Sequence, residues 1–364
     1  MPTVRDIASN IGVSASTVSR SLSGSPQISE DVRERVLKEA RRIGYGRVKT
    51  SSQSAAATTL GVAFLNQFAW PHFTGYDSLI WAGIMRGAQE VQSDVTFVDL
   101  NQRSRGESYR AFLASRGVHG LILRVDSETR DAANDIAADG VEVVVIADRY
   151  EEPDVGFAYF RSGDATRQAV EHLIGMGHRR IGFCRNLVLD HDHRERLAGY
   201  HAALKSAGIE IDEHLHVSRP ADVSGGAAAL NAFLSSANPP TAVFYTDPMM
   251  TVGGLRRALE MGVRVPDELS IVGVDDGDDS RQLTYPTFTA VRQNAPELGA
   301  QAARWLVRRC EGDRQADEVL RLVLDAYFEV NQSTSPPPEE PVRVMPNGRR
   351  WSSLGQESQS SPSR

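Results

Sequence analysis

The chain has 364 residues, enough for more than one domain, and its 41% hydrophobic and 24% charged shares are ordinary for a soluble globular protein. No run approaches the roughly 18 apolar residues of a membrane helix, and the start MPTVRDIASN has no apolar signal core, so a cytoplasmic protein without membrane contact is expected. The net charge of −7 hides an asymmetry: residues 1–50 hold nine Lys and Arg against five Asp and Glu, and the remainder 31 against 42. A small basic head on an acidic body is the pattern expected where the head meets a polyanion.

The head reads as three short helices. Thr3 is a good N-cap with Asp6 three residues on, and Val4, Ile7, Ala8 and Ile11 share one face before Gly12 interrupts. Ser14 caps a second helix that carries Val18 and Leu22 inward. A third begins near Ser29, with Glu30 and Asp31 in the first turn, where the helix dipole favours anions. Its apolar stripe is Val32, Val36, Ala40 and Ile43, and Arg41 and Arg42 stand at its end. Two short helices joined by a tight Gly-containing turn follow the helix-turn-helix plan, whose second helix lies in the major groove of double-stranded DNA. That plan turns Ala15, Ser16, Thr17 and Arg20 towards the bases. Arg20 suits bidentate pairing with guanine O6 and N7; Thr17 and Ser19 suit phosphate oxygens. The cap residues Thr3, Ser14 and Ser29 complete the DNA-facing set. The plainer reading of the same pattern is a helical subdomain with a polar face.

The stretch TVRDIASNIGVSASTVSRSLSGSPQISEDVRERVLKEARRIGY resembles the DNA-binding domain of the lac-repressor family of bacterial transcription regulators, most specifically in GVSASTVSRSLSG. The resemblance implies that Ala15 and Ser16 occupy operator-discriminating positions and that Arg20 contacts a base. It also implies that the following segment, YGRVKTSSQSAAATTL, is a hinge that forms a helix in the minor groove, where a leucine wedges a base step. Here the wedge position is Ser54, and Arg47-Val48 stands where Pro-Asn starts that helix. Phosphate contacts from Arg47 and Lys49, with weak or absent DNA kinking, are therefore expected.

Beyond the hinge, apolar runs alternate with helical stretches. The strand candidates are LGVAFLN, VTFVDL, GLILRV, VEVVVIA, RRIGFC, TAVFYT, LSIVGV and VLRLVLDAYFEV. Continuous apolar strands alternating with helices imply parallel sheets covered on both faces, and the span is long enough for two α/β lobes. Ligands in such folds sit at the carboxyl ends of strands and in clefts between lobes. Asp148, Thr246, Asp247, Asp275 and Asp276 all follow predicted strands. Asp148, Asp275 and an arginine make a hydrogen-bonding set for a polyol; the plainer reading makes Asp247 and Asp275 caps of helices or turns.

The family resemblance extends to about residue 330, through IADRY, EHLIGMGHRRIGF, RERLAGYHAALKSAGI, PPTAVFYTD, LEMGVRVPDELSIVGVDD and YPTFTAVRQNAPELGAQAARWL. It implies an effector domain similar to periplasmic sugar-binding proteins, with two lobes and three crossovers. It places ligand contacts at Asp148, at Arg196 in RLAGY and at Asp275 in VGVDD. Trp70 and Phe73, in WPHF, stand in a bend whose aromatics can stack on a sugar face. Thr246 replaces a frequent Asn, and Arg161-Ser162 replaces an Asp-Asn pair, so Arg161 and Arg124 are candidate extra cations. The expected effector is a sugar, a sugar derivative or an acid.

No Gly-x-Ser-x-Gly elbow, catalytic Cys context or full phosphate loop is visible, so no enzyme activity, cofactor or metal is expected. DHDHRER at 190–196 offers His-x-His spacing but reads as a solvated loop leading to Arg196. Cys184 and Cys310 read as unpaired thiols. Residues 331–364, rich in Ser and Pro, read as a disordered tail without a tetramerising zipper. The expected layout is thus an all-α helix-turn-helix domain at 1–46, a hinge at 47–58, a two-lobed α/β periplasmic-binding-protein-like domain at 59–330 and the tail. The corresponding function is a homodimeric regulator of operator DNA controlled by a small effector. The rival is a sugar-binding or sugar-processing protein without a DNA role.

Overall fold

Thr3 opens the first helix by the local chemistry its sequence implies. In the computed structural model of the chain, Thr3 Oγ1 accepts from Asp6 N–H (3.4 Å) and Asp6 Oδ2 accepts from Thr3 N–H (2.7 Å). The structure describes residues 3–22, 28–43, 58–64, 75–125, 129–187, 190–277, 280–313 and 318–345. The chain divides into two units, residues 1–57 and 58–364.

The first unit holds α1 (Val4–Ile11), α2 (Ala15–Leu22) and α3 (Glu30–Arg42). Gly12, at φ 71°, ends α1 in the left-handed region that glycine tolerates without a Cβ penalty. Ser14 Oγ then accepts from Thr17 N–H (3.0 Å) at the start of α2. Ile7, Ala8, Val18, Val36 and Ala40 form the core, each large aliphatic side chain contributing about 1.5–3 kcal/mol by burial. Asn10 donates to Glu39 (2.7 Å) and Arg35 to the Ile11 carbonyl (3.0 Å), tying α3 to the end of α1.

The second unit alternates strands and helices. In chain order it runs β1 (Thr59–Phe64), α4 (Gly75–Glu90), β2 (Asp94–Phe97), α5 (Tyr109–Ser115), β3 (Gly120–Arg124), α6 (Asp131–Ala138), β4 (Glu142–Ile146) and β5 (Gly156–Arg161). It continues with α7 (Gly163–Gly175), β6 (Ile181–Asn186), α8 (His191–Ser206), β7 (His216–Arg219), α9 (Val223–Leu234), β8 (Ala242–Tyr245), α10 (Pro248–Glu260) and β9 (Ser270–Asp275). It closes with β10 (Thr289–Arg292), α11 (Ala295–Cys310), β11 (Arg321–Asp325) and β12 (Tyr327–Glu329).

Two six-stranded sheets result, ordered β11-β5-β4-β3-β1-β2 and β12-β10-β9-β8-β6-β7. Every pairing is parallel except β10 with β12. Each sheet has apolar clusters on both faces, which is why its inner strands are continuously hydrophobic. The chain passes between lobes three times: from β5 to α7, from β10 to α11, and between β11 and β12.

Three strands escape the sequence reading. β5, with the sequence GFAYFR, and the four-residue β10 were not among the strand candidates, and β7 is a half-buried edge strand with the polar sequence HVSR. The single expected strand VLRLVLDAYFEV is two, since the chain leaves the first sheet at Ala326 and joins the second antiparallel. The tail expected to be disordered from 331 is ordered over 331–345. Ile271 N–H donates to Ser333 O (2.9 Å), Val344 N–H to Leu234 O (2.9 Å), and Val344 is buried against α9. Ser333 supplies a carbonyl that pairs with β9, and Val344 an apolar plug, neither of which composition reveals.

Candidate functional site

On α2, Ala15, Ser16, Ser19 and Arg20 are exposed and Thr17 is half-buried, while Val18 is fully buried beneath them. Ser14 Oγ also lies 2.8 Å from the hydroxyls of Ser16 and Thr17, so the start of the helix carries a linked set of hydroxyls. Thr3 and Ser29 are exposed as well. The geometry matches a recognition helix whose apolar side is anchored and whose polar side is exposed. Arg47, Lys49 and Ser54 lie outside the described residues.

The second unit gathers charges where its lobes face each other, at the carboxyl ends of β3, β6, β8 and β9. The resulting narrow cavity is lined by Tyr76, Arg124, Asn186, Asp190, Asp192, His193, Arg196, Asp247, Asp276 and Gln293. Arg124, the last residue of β3, reaches across from the first lobe. Its Nη2 donates to Asp190 (3.0 Å) and its Nε to Asp77 (3.2 Å). Asp190 caps α8 by accepting from His193 N–H (3.0 Å), and also accepts from His193 Nδ1 (2.6 Å). His193 Nε2 faces Asp247 at 3.4 Å.

These contacts set the protonation states. Burial disfavours the His193 charge, but Asp190 and Asp247 outweigh it and raise its pKa to about 9, so the ring is cationic at neutral pH. Burial disfavours the Asp190 carboxylate too, yet His193 and Arg124 hold it ionised well below the usual range. Burial, then the adjacent Asp190 charge, pushes Asp192 up. Burial pushes Asp276 up to about 7.

Arg196, 3% exposed, donates from Nη1 to Thr246 O (2.9 Å) and from Nη2 to Gln293 Oε1 (3.2 Å). Gln293 passes the network on by donating to Asp276 Oδ1 (2.6 Å). Four polar atoms around the cavity have no hydrogen-bond partner among the described residues: Tyr76 Oη, Arg124 Nη1, Asp192 Oδ1 and Arg196 Nε. Buried donors and acceptors left unsatisfied cost about 1–3 kcal/mol each, so a polar group placed in the cavity would be stabilised there.

The site differs from the sequence expectation in several places. Asp275 is fully buried but turned away from the cavity, held by Arg281 and Arg292 at 3.1 Å each and by Gly277 N–H (3.0 Å). Its neighbour Asp276 faces the cavity instead, because successive residues leaving a strand point to opposite sides. Thr246 does not line the cavity; its hydroxyl donates to Asp247 (2.7 Å) and orients that carboxylate. Asp247 precedes α10 but its side chain makes no cap hydrogen bond, so the capping reading fails for it. Asp148 is buried at the other side of the cleft, paired with Arg130 and 3.7 Å from Arg194 of α8. Arg161 pairs with Asp325 (2.7 Å) where two crossovers run side by side, outside the cavity lining, whereas Arg124 does enter it. DHDHRER is not a solvated loop: it begins α8, and Asp190, Asp192 and His193 are each at most 5% exposed. Trp70 and Phe73 lie outside the described residues. Among the described residues no three His, Cys, Asp or Glu groups are placed to hold a metal ion.

An exposed recognition helix in one unit and a polar interlobe cleft in the other define a class: DNA-binding regulators that carry a small-molecule receptor. Comparison with known proteins specifies it. Residues 3–47 match the bacterial regulatory proteins of the lacI family, and residues 170–327 match the periplasmic binding protein-like domain. The chain is 31% identical to the transcriptional regulator CelR of Thermobifida fusca over 91% of its own length and 98% of that protein's. It is 28% identical to the ribose operon repressor of Haemophilus influenzae, over 86% and 94% of the two chains. Among solved structures, the lac repressor dimer bound to operator and the anti-inducer ONPF superposes with a TM-score of 0.71 at 26% identity, covering 92% of this chain and 99% of that one. A CelR–cellobiose complex superposes at 0.65 and 27% identity, covering 92% and 100%. The chain belongs to the lacI family of bacterial regulatory proteins, and it is a DNA-binding transcription regulator.

Proposed function

We propose that the chain acts as a homodimeric repressor whose operator affinity is set by a polyhydroxylated effector, a sugar or sugar derivative, held between its lobes. The observation that carries this reading is the set of unpartnered polar atoms around the interlobe cavity. Arg124 Nη1 and Arg196 Nε require acceptors, and Asp192 Oδ1, when ionised, requires a donor. Sugar hydroxyls both donate and accept, so one molecule can satisfy atoms of both kinds. The relatives point the same way: one solved CelR structure holds cellobiose, and another relative represses a ribose operon.

Two heads on a dimer read the half-sites of a near-palindrome, because operator symmetry mirrors protein symmetry. Arg20 reads a base, while Thr17, Ser19 and the cap hydroxyls of Thr3, Ser14 and Ser29 position the head on phosphates; Arg47 and Lys49 add phosphate contacts. An effector that favours one lobe arrangement shifts operator affinity by a coupling of about 1–3 kcal/mol, reciprocally. The test is a fluorescence-anisotropy titration on the DNA upstream of the gene, at several salt concentrations, with and without a saccharide panel. Binding that is sequence-specific, salt-dependent and shifted by one saccharide supports the reading. Equal affinity for any DNA sequence, or an operator affinity that no saccharide changes, refutes it.

A further inference from the structure

We propose that the interlobe cavity selects an effector carrying a protonated amine, an amino sugar in preference to its neutral or acidic counterpart, with Asp192 as the ammonium's partner. This rests on the effector reading above and narrows it.

The ground is the distribution of charge around the cavity. Four carboxylates line it against three cationic side chains, and a fifth, Asp77, stands behind Arg124. The pairing is uneven. Arg124 and His193 are committed to Asp77, Asp190 and Asp247. That leaves Arg196 as the nearest cation to both Asp192 and Asp276, and it hydrogen-bonds neither. Its guanidinium donates to the Thr246 carbonyl and to Gln293, and Asp192 lies 3.9 Å away. Asp276 receives an amide N–H rather than a cation. Asp192 is 2% exposed, and its Oδ1 accepts nothing among the described residues.

A buried carboxylate whose nearest cation stands off at 3.9 Å without a hydrogen bond is poorly compensated, and is stabilised by protonation or by a cationic ligand. Burial and the neighbouring acids already press Asp192 and Asp276 towards protonation. A bound ammonium removes that pressure, donating to Asp192 Oδ1 in a charge-assisted hydrogen bond. The hydroxyls of the same molecule supply acceptors to Arg124 Nη1 and Arg196 Nε. A sugar acid would satisfy the two arginines, but its own charge would press Asp192 and Asp276 further towards protonation instead of relieving them.

The experiment is isothermal titration of the full chain, at pH 7, with matched sets in gluco and galacto configuration and as mono- and disaccharides. Each set comprises the 2-amino sugar, its N-acetyl derivative, the neutral parent sugar and the uronic acid. The amino sugar of one configuration is expected to bind about tenfold or more tighter than its neutral parent, with the uronate weakest. Asp192→Asn, checked for fold by circular dichroism and melting temperature, is expected to collapse the preference of amine over neutral sugar to within about twofold. If the neutral parent or the uronate binds as tightly as the amine, or if the preference survives in Asp192→Asn, the amine assignment is overturned and the polyol reading stands. If no saccharide of any kind binds, the polyol reading falls with it.

Discussion

Arg124→Met tests whether the ion pair across the cleft is a latch that favours lobe closure. The arginine is anchored on β3 in the first lobe, and Asp190 begins α8 in the second, 3.0 Å from Nη2. Removing one member of a buried pair costs about 3–5 kcal/mol, mostly because the other charge is left buried and alone. Here Asp190 keeps His193 Nδ1 at 2.6 Å and the His193 backbone N–H at 3.0 Å, so the cost belongs at the lower end, about 3 kcal/mol. Neither sheet depends on the pair, so the loss falls on closure: at about 1.4 kcal/mol per tenfold, the closed population relative to open drops by about a hundredfold. Small-angle X-ray scattering reads this as a larger radius of gyration in the ligand-free variant. A double-mutant cycle with Asp190→Asn, monitored by denaturant unfolding, isolates the pair, and a coupling of about 1.5–3 kcal/mol is expected. Additivity within about 0.5 kcal/mol, with an unchanged radius of gyration, refutes the latch.

In the head, Arg20→Ala is expected to cost about 1–3 kcal/mol of operator affinity and to relax base preference at one position of each half-site, read by anisotropy titration against single-base operator variants; unchanged affinity means that α2 docks differently. Gly83→Ala places a Cβ 2.0 Å from the Pro296 carbonyl, so it forces α4 off α11 and lowers stability by about 1–3 kcal/mol, although alanine is the better helix former. Gly175→Ala, which meets nothing within 4 Å, is neutral or stabilising by up to about 1 kcal/mol, and a denaturant midpoint that ranks the two the other way contradicts the packing. His178 is fully buried against Thr241 and Ser335, and burial lowers its pKa. The folded chain therefore binds fewer protons than the unfolded one near pH 6, and stability falls as pH drops through the unfolded value of about 6.5 towards the lower folded value. His172, His201 and His216 are lowered in the same sense, so the diagnostic quantity is the difference between parent and His178→Gln. The variant is expected to lose less stability between pH 7.5 and 5.5 by urea unfolding, and an equal loss removes His178 from the account.

Local chemistry made the head legible from sequence. Cap residues at Thr3 and Ser14, a glycine at the turn and apolar stripes through Val18 and Val36 each specify a helix over a few residues, and the fold uses them all. The body's apolar runs likewise announced parallel sheets, because strands buried on both faces need hydrophobic residues at every position. What resisted reading was set by partners distant in the chain. HVSR became an edge strand only because β6 lies beside it, and residues 331–345 were ordered by carbonyls and apolar surface supplied by β9 and α9.

The cleft shows the same division at finer scale. Motif position and strand ends singled out Asp148 and Arg196, and the structure puts Arg196 in the cavity's wall. Composition made DHDHRER look solvated, since Asp, Arg and His seldom lie buried. Lobe closure reverses that by bringing Arg124 from the first lobe against Asp190. Between Asp275 and Asp276, a strand-end pattern favours neither. Arg281 and Arg292 claim the first and leave the second to the cavity. Local sequence determined the helices of the head, most of the body's buried strands, and that a polar site stands where the strands end. Only the tertiary structure decided which carboxylates face that site and which lack a hydrogen-bonded cation, because both depend on side chains brought together from separate elements of the second lobe and, through Arg124, from across the gap between lobes.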